Sequence, residues 1–271
     1  MGEGSFMLRR FLKYWAIFKT QVNHSLAYPG DLVTRAFTAV LFAWVFFHLW
    51  QATYRSTGQG TLSGLTLKET LWYLVIAEAI VLSRPRLANS IAESVKNGEI
   101  AYLLGRPCNF LLYQASVGIG DSILRILLNA VAGGAVVWAV AGPPPDPRGW
   151  PMVAVAVVFG WAIDFCITAM IGLAAFVTEE VSAFEWIYRK FVLLLGGVLI
   201  PLDLFPGWLR DIALALPFAS AVYGPARLFV SPDPARFAHL ALTQVAWLGA
   251  LGLVLGLLYR RSVSWLTVNG G

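Results

Sequence analysis

The sequence predicts an all-α membrane protein with six transmembrane helices, an N-terminal interfacial amphipathic helix and a broken extracellular hairpin between helices 5 and 6. Of its 271 residues, 58% are hydrophobic and only 13% are charged. A soluble domain carries roughly 25% charged residues, so too few polar groups remain to cover a soluble globule. The apolar residues are also grouped into segments long enough to cross a bilayer.

Residues 1–30 predict an amphipathic helix on the cytoplasmic surface of the membrane. Phe11, Trp15, Phe18 and Val22 recur at helical spacing on one face, while most positive charges lie elsewhere. Such a helix suits contact with membrane lipids, with its cations near lipid phosphates. The alternative is a helix that packs on protein. The charges interrupt any apolar core of a signal peptide, so cleavage is not expected.

Residues 31–271 predict a six-helix transmembrane domain. Its first span has nineteen residues, which at 1.5 Å each covers about 28 Å, close to the thickness of the hydrocarbon core. The second is weakened by two glutamates and the fifth is short. The six predicted spans are Leu32–Trp50, Leu67–Leu82, a crossing within Phe110–Ala141, Pro151–Val177, Phe191–Leu202 and Phe237–Tyr259.

Residues 201–236 connect the last two spans. Their first part is rich in proline and glycine, too irregular to cross the bilayer and too apolar for an ordinary loop. Irregular backbone at membrane depth is tolerated only where protein or a water-filled cavity shields it. We therefore expect a hairpin of short helices that dips part-way into the membrane.

The distribution of lysine and arginine predicts the orientation. Twelve lie in the connections at 1–30, 84–107, 178–190 and 260–271, and six in those at 53–68, 142–150 and 203–236. Because the richer side is cytoplasmic, both termini of this multi-pass protein are expected inside the cell. The net charge of +5 could indicate nucleic-acid binding, but this distribution of the cations argues against it.

The connection at 84–107 contains signals for two short helices. Ser90-x-x-Glu93 has the form of a capping box, and Gly98 suits a helix stop before a second helix at Glu99–Leu104. Two short capped helices on a cytoplasmic connection offer a surface that a peripheral partner can bind.

Ile91 and Val95 form a small apolar face in this segment, four residues apart. That face predicts either docking of a partner protein or a connector that lies on the membrane.

Four ionisable residues lie within or near the predicted spans. Asp121 and Arg125 are four residues apart on one helix and are expected to pair. Glu78 and Asp164 have no local partner, so each is expected either to pair across helices or to line a polar path.

Motifs for catalysis are absent from the sequence. It contains no GxxxxGK[ST] loop, HExxH, GxSxG or clustered metal ligands. We therefore expect no enzyme activity, no cofactor and no metal in this chain. The two cysteines, Cys108 and Cys166, predict no disulfide framework.

The order of segments resembles the permease subunits of type-2 ABC exporters, and within them the subgroup named for viologen export. Residues 91–107 are similar to the family's coupling segment, and residues 200–225 to its extracellular hairpin. The matching positions are Gly98, Leu103, Arg106 and Pro107 in the first, and Pro201, Phe205, Pro206, Trp208, Leu209, Pro217, Phe218 and Pro225 in the second.

This resemblance implies a permease dimer, of identical or sister chains, with the substrate pathway at its interface and two separate cytoplasmic ATPase subunits below. The residues expected to couple to the ATPase are Ile91, Val95, Gly98, Glu99, Leu103, Arg106 and Pro107. The alternative hypothesis is a proton-coupled secondary carrier that uses Glu78 and Asp164, although no internal repeat supports it.

Overall fold

The structure is a computed structural model that describes residues 3–105, 108–178 and 180–269. Helices dominate it, and its only described strands form a two-stranded antiparallel ribbon, Thr61–Leu62 (β1) with Leu65–Thr66 (β2). The helices are α1 (Glu3–Leu26), α2 (Pro29–Thr57), α3 (Leu67–Leu82), α4 (Leu87–Lys96), α5 (Glu99–Gly105), α6 (Phe110–Ala141), α7 (Trp150–Leu173), α8 (Ser182–Leu195), α9 (Gly207–Ala215), α10 (Pro217–Ala221), α11 (Tyr223–Val230) and α12 (Pro234–Asn269).

Four helical segments in the described chain are long and apolar enough to cross a membrane. They are Gly30–Thr57, Phe110–Ala141, Pro147–Phe176 and Pro234–Ser264, which contain most or all of α2, α6, α7 and α12. The predicted all-α membrane protein is therefore confirmed at this level. The other two predicted spans correspond to α3, with 16 residues, and α8, with 14. At 1.5 Å per residue they measure roughly 24 and 21 Å, less than the hydrocarbon core of about 30 Å.

Helix α8 differs from the predicted fifth span at both ends. The span was expected at Phe191–Leu202, but the helix begins at Ser182 and ends at Leu195. Arg189 and Lys190, assigned to a loop from their charge, lie on an exposed side of this amphipathic helix. The two charges therefore belong to the exposed side of a helix, which also carries Trp186, Ile187 and Phe191.

Helix α3 forms the centre of the bundle, between α2, α6 and α11. Tyr73 is fully buried, and its hydroxyl donates to the Gly197 carbonyl at 2.6 Å. The helix starts with a capping box in which Thr66 accepts from the Glu69 backbone N–H and the Glu69 side chain accepts from that of Thr66. Glu69 thus caps the helix and does not interrupt its apolar part.

Helix α1 runs beside the first part of α6. The backbone N–H of Asn109 donates to the Tyr14 hydroxyl at 3.1 Å, and a β-carbon at Gly120 would lie 2.9 Å from the Phe18 carbonyl oxygen. The helix therefore packs on protein along one side, which was the alternative to a helix held by lipid alone. Trp15, on another side, is 43% exposed.

The segment before α12 folds into the short helices α9, α10 and α11. A β-carbon at Gly160 of α7 would lie 2.6 Å from the Ala221 carbonyl oxygen, so α10 packs directly on the α7 backbone. Gln244 of α12 donates to the carbonyl oxygens of Ala156 at 2.9 Å and Ser220 at 2.8 Å. These contacts satisfy part of the irregular backbone inside the bundle.

Candidate functional site

Helices α4 and α5 form a bent pair at one end of the bundle. The predicted capping box is wrong, because α4 begins at Leu87 and so Ser90 and Glu93 both lie inside the helix. The predicted stop at Gly98 is confirmed. Its φ of +71° lies in the left-handed region, which glycine adopts without the strain of a side chain, and α5 begins at the next residue.

The inner face of α4 packs on the end of α7, and buried residues of α5 join the same apolar cluster. Ile91 is 0% exposed and lies in an apolar cluster with Ile100 and Leu103. A β-carbon at Gly172 would lie 2.8 Å from the Ile91 β-carbon, so α4 and α7 approach closely. The expectation that Ile91 belongs to a docking face is therefore wrong, since its side chain is buried in this chain's own core.

The outer surface of the bend is formed by other residues of the predicted segment. Glu93, Asn97, Gly98 and Glu99 are exposed, and Tyr102 is 67% exposed. We call these five residues the α4–α5 tip. Val95 is half-buried, and Arg106 and Pro107 lie outside the described residues.

An ion pair links α4 to the turn that precedes α8. The Lys96 ammonium lies 3.1 Å from a carboxylate oxygen of Glu180, at an exposed position. The Ser182 hydroxyl and backbone N–H also donate to Glu180. These hydrogen bonds, aided by Lys96, lower the pKa of Glu180 to about 2.

Asp164 pairs across helices. One of its carboxylate oxygens lies 2.8 Å from an Arg84 guanidinium nitrogen and accepts from the Tyr188 hydroxyl at 2.5 Å. The side chains of Asp164 and Arg84 are only 4% and 14% exposed. Of the two outcomes expected for Asp164, pairing with another element is therefore found. Sequence spacing does not reveal Arg84 and Tyr188 as its partners, because they come from the α3–α4 connection and from α8.

Glu78 lies in a different environment from Asp164. Its side chain is buried in α3, and among the described residues it has no ion-pair or hydrogen-bond partner. It lines neither of the cavities that Asp164 lines. The structure thus does not bring these two carboxyl groups to one site.

Two further ion pairs lie largely buried in the bundle. The predicted pair of Asp121 and Arg125 is confirmed, with 2.6 Å between its oxygen and nitrogen. A further group was not predicted, in which Asp203 lies 3.4 Å from Arg227 and accepts from the Tyr223 hydroxyl at 3.1 Å. The i,i+4 spacing revealed the first pair, and no comparable spacing marked the second.

The residues singled out in the predicted hairpin fall into an inner and an outer group. Pro201 and Pro217 are buried, while Phe218 stacks with Phe191 of α8 at 6.0 Å between ring centroids. Phe205 is half-buried; Pro206 and Trp208 are exposed. The inner residues thus hold the short helices against the bundle, and Trp208 points away from it.

The described residues contain no group of three or more histidine, cysteine, aspartate or glutamate side chains that could hold a metal ion. Both cysteines are free. The candidate functional features of the described residues are therefore the apolar helices, the buried ion pairs and the exposed bend between α4 and α5.

Comparison of the sequence with known protein families identifies a match. Residues 38–270 match the family model described as "ABC-2 family transporter protein", which covers most of the chain. No curated protein gives a significant match. The matched residues include α3 to α12 and about two thirds of α2, and with them the bend, the buried pairs and the broken segment. The chain therefore belongs to the ABC-2 transporter family, as a membrane-embedded permease subunit of an ABC transporter.

Proposed function

We propose that this chain is the permease of an ABC exporter of the viologen-exporter-like subgroup, with six membrane crossings and both termini in the cytoplasm of a bacterial cell. The charge distribution supports this orientation: even without Arg189 and Lys190, which lie in α8, ten cations on the proposed inner side face six on the other. Residues 1–30 form its interfacial helix and residues 31–271 its permease domain.

The two short helices α3 and α8 complete the six crossings in this proposal. Each is about one to two turns short of the hydrocarbon thickness, but the Leu65 carbonyl just before α3 accepts from Tyr54, and the Gly197 carbonyl just after α8 accepts from Tyr73. Such flanking segments can cover the missing length where protein shields them. The broken segment at 201–236 then lies on the outer side, as the extracellular hairpin.

We propose that the α4–α5 tip docks the ATPase subunit. The observation that supports this proposal is the packing of α4 on α7. The tip is exposed while the opposite side of α4 packs against Gly172, so a displacement of the tip would be transmitted to α7. The connection into α4 also contains Arg84, which is paired with Asp164 of α7. Movement of α4 would thus act on α7 at two points, eight residues or about 12 Å apart.

A second permease, identical or a sister chain, is proposed to pack beside α8. This helix has few neighbours in its own chain, and its outward apolar side chains are large: Ile187 is 46% exposed and Phe191 48%. The same helix exposes Arg189 and Lys190, which lipid tails would not tolerate. A second permease that covers the apolar side chains and leaves an aqueous pathway beside the cations would bury the first group and keep the second in water.

The environment of Asp164 argues against the proton-coupled carrier. That carboxylate is held by Arg84 and Tyr188, and it does not share a cavity with Glu78. A relay needs groups that exchange protons along one path. No observation favours this alternative.

Co-expression with an ATPase encoded beside this gene tests the proposal. The two chains should co-purify in detergent, and ATP hydrolysis should depend on the ATPase. Thiol labelling in intact cells should modify a cysteine at Gln59 or Asp146 but reach Asn97 only after permeabilisation. Labelling of Asn97 from outside would overturn both the orientation and the docking site.

A further inference from the structure

Two cavities meet at the Arg84–Asp164 pair. The first, of about 160 Å³, lies between α3, α6 and α7. Its walls are mostly apolar, with Ile123 and Val158 among them, and its polar lining includes Arg84 and Asp164. A dry apolar cavity of roughly 150 Å³ suffices for a benzene-sized group. This cavity therefore suits the first carbons of an aliphatic chain.

The second cavity, of about 340 Å³, is strongly basic. It also contains Arg84 and Asp164, so the two cavities adjoin. Six cationic side chains line it, from α2, the α3–α4 connection, α6 and α8: Arg35, Arg84, Arg86, Arg125, Arg189 and Lys190.

Four of these cations have carboxylate partners. Arg35 pairs with Asp31, Arg84 with Asp164, Arg125 with Asp121 and Arg189 with Glu185.

Arg86 and Lys190 are the surplus, since neither has a carboxylate partner among the described residues, and Lys190 lies 5.2 Å from the Trp186 ring centroid. The Nε of Arg84 is also buried without a hydrogen-bond acceptor in the described chain. Two unneutralised cations and an unused buried donor favour an anion at this position.

We propose that the joined cavities bind one anionic phospholipid taken from the adjacent leaflet. Its phosphate lies among the arginines, and the start of one acyl chain lies in the apolar cavity. Basic pockets between membrane helices suit anionic head groups, and arginine suits phosphate because its planar fork donates two parallel hydrogen bonds. The apolar cavity distinguishes such an amphiphile from a free phosphate ion.

This site does not depend on the proposed docking of an ATPase. Binding to the purified permease tests it alone, whereas co-purification with the ATPase tests the function. The two can therefore fail independently.

Native mass spectrometry of the purified chain in neutral detergent measures the binding directly. Phosphatidylglycerol and phosphatidylcholine of equal chain length are titrated in turn, and inorganic phosphate is added as a competitor. We expect phosphatidylglycerol to bind at least tenfold more tightly than phosphatidylcholine, and millimolar phosphate to leave it bound. Equal binding of both lipids, or displacement of the lipid by phosphate alone, would overturn the proposal.

Two variants, one at each end of the site, complete the test. Arg86→Gln combined with Lys190→Gln removes the surplus charge at exposed positions, and Ile123→Trp fills the apolar cavity. Each should weaken phosphatidylglycerol at least tenfold. The matched controls Arg55→Gln and Leu127→Trp lie outside both cavities and should bind as the unmodified chain does. Loss of binding in the controls, or normal binding in either site variant, contradicts the assignment.

Discussion

Arg84 and Asp164 lie 2.8 Å apart in the interior of the bundle, and their pair joins the connection before α4 to the middle of α7. Two charges in a region of low dielectric are stable only together, since either alone would be buried and uncompensated. The pair therefore fixes the position of the α3–α4 connection relative to the helix on which α4 itself packs.

Substituting one member of this pair should destabilise the protein more than substituting both. Arg84→Gln leaves a buried carboxylate without its partner, and we expect a loss of about 3–5 kcal/mol in unfolding free energy. The double variant Arg84→Gln with Asp164→Asn should lose less, because no net charge remains buried. Tyr188→Phe should lose about 2 kcal/mol, as expected for one hydrogen bond to a charged group. Unfolding in mixed detergent measures these differences; equal losses in the single and double variants would show that the pair is not coupled.

The close approach of α7 and α10 predicts a contrast between two glycines. Gly160→Ala places a methyl group 2.6 Å from the Ala221 carbonyl oxygen, and such overpacking costs about 1–3 kcal/mol. Gly252→Ala on α12 has no atom within 4 Å of the added carbon in the described chain. There we expect no loss, or a gain of up to about 1 kcal/mol from helix propensity. A melting temperature lowered by the second substitution but not the first would contradict this packing.

The Lys96–Glu180 link should weaken in acid. Because hydrogen bonds from Ser182 lower the pKa of Glu180 from 4.5 to about 2, the folded protein favours the charged carboxylate. The contribution of the Glu180 carboxylate to the free energy of unfolding is complete above pH 4.5 and is lost as the pH falls from there towards 2. The Glu180→Gln variant lacks this dependence. The stability difference between the two proteins should therefore shrink across that interval; a difference that stays constant from pH 6 to pH 3 would show that these contacts do not stabilise the charged form of Glu180.

The proposed permease contact at α8 predicts cross-linking between two copies. In a background of Cys108→Ser and Cys166→Ala, a cysteine at Ile187 should join two chains through a short bis-maleimide. The control is Leu242→Cys on α12, which is 72% exposed but lies on another face. Linked dimers from Leu242 and none from Ile187 would move the contact to α12. If the partner is a sister chain, Ile187 should instead link to that chain.

The sequence predicted well what depends on local spacing. The pairing of Asp121 with Arg125, the stop at Gly98 and the apolar spans in α2, α6, α7 and α12 all follow from neighbours along one helix. The fold class was therefore accessible from composition and periodicity alone.

What the sequence did not predict depends on contacts between distant segments. The capping-box motif occurs at Ser90-x-x-Glu93 and also at Thr66-x-x-Glu69, and only packing decides that α4 begins upstream of the first. Ile91 has the spacing of an outward apolar face, but Gly172 admits it to the core. Both errors arise because a short helix can turn its apolar side either inward or outward.

The revised docking surface makes a prediction of its own. Glu99→Lys with Tyr102→Asp changes two exposed residues of the α4–α5 tip, so folding should be preserved while co-purification with the ATPase is lost. Ile91→Asp buries an unpaired charge and should lower the yield of folded protein instead. Size-exclusion chromatography and pull-down separate these outcomes. Normal assembly of the Glu99 and Tyr102 double variant would exclude the tip as the docking surface.

Photo-cross-linking from the α4–α5 tip tests most directly that this permease is coupled to an ATPase there. A benzophenone maleimide attached to Asn97→Cys in the background without other cysteines should, on illumination in membranes, form an adduct with a P-loop ATPase identified by mass spectrometry. The same probe at Gln59→Cys, on the proposed outer side, should form none. An ATPase adduct from Gln59, or its absence from Asn97 in a complex that hydrolyses ATP, would contradict the proposed coupling.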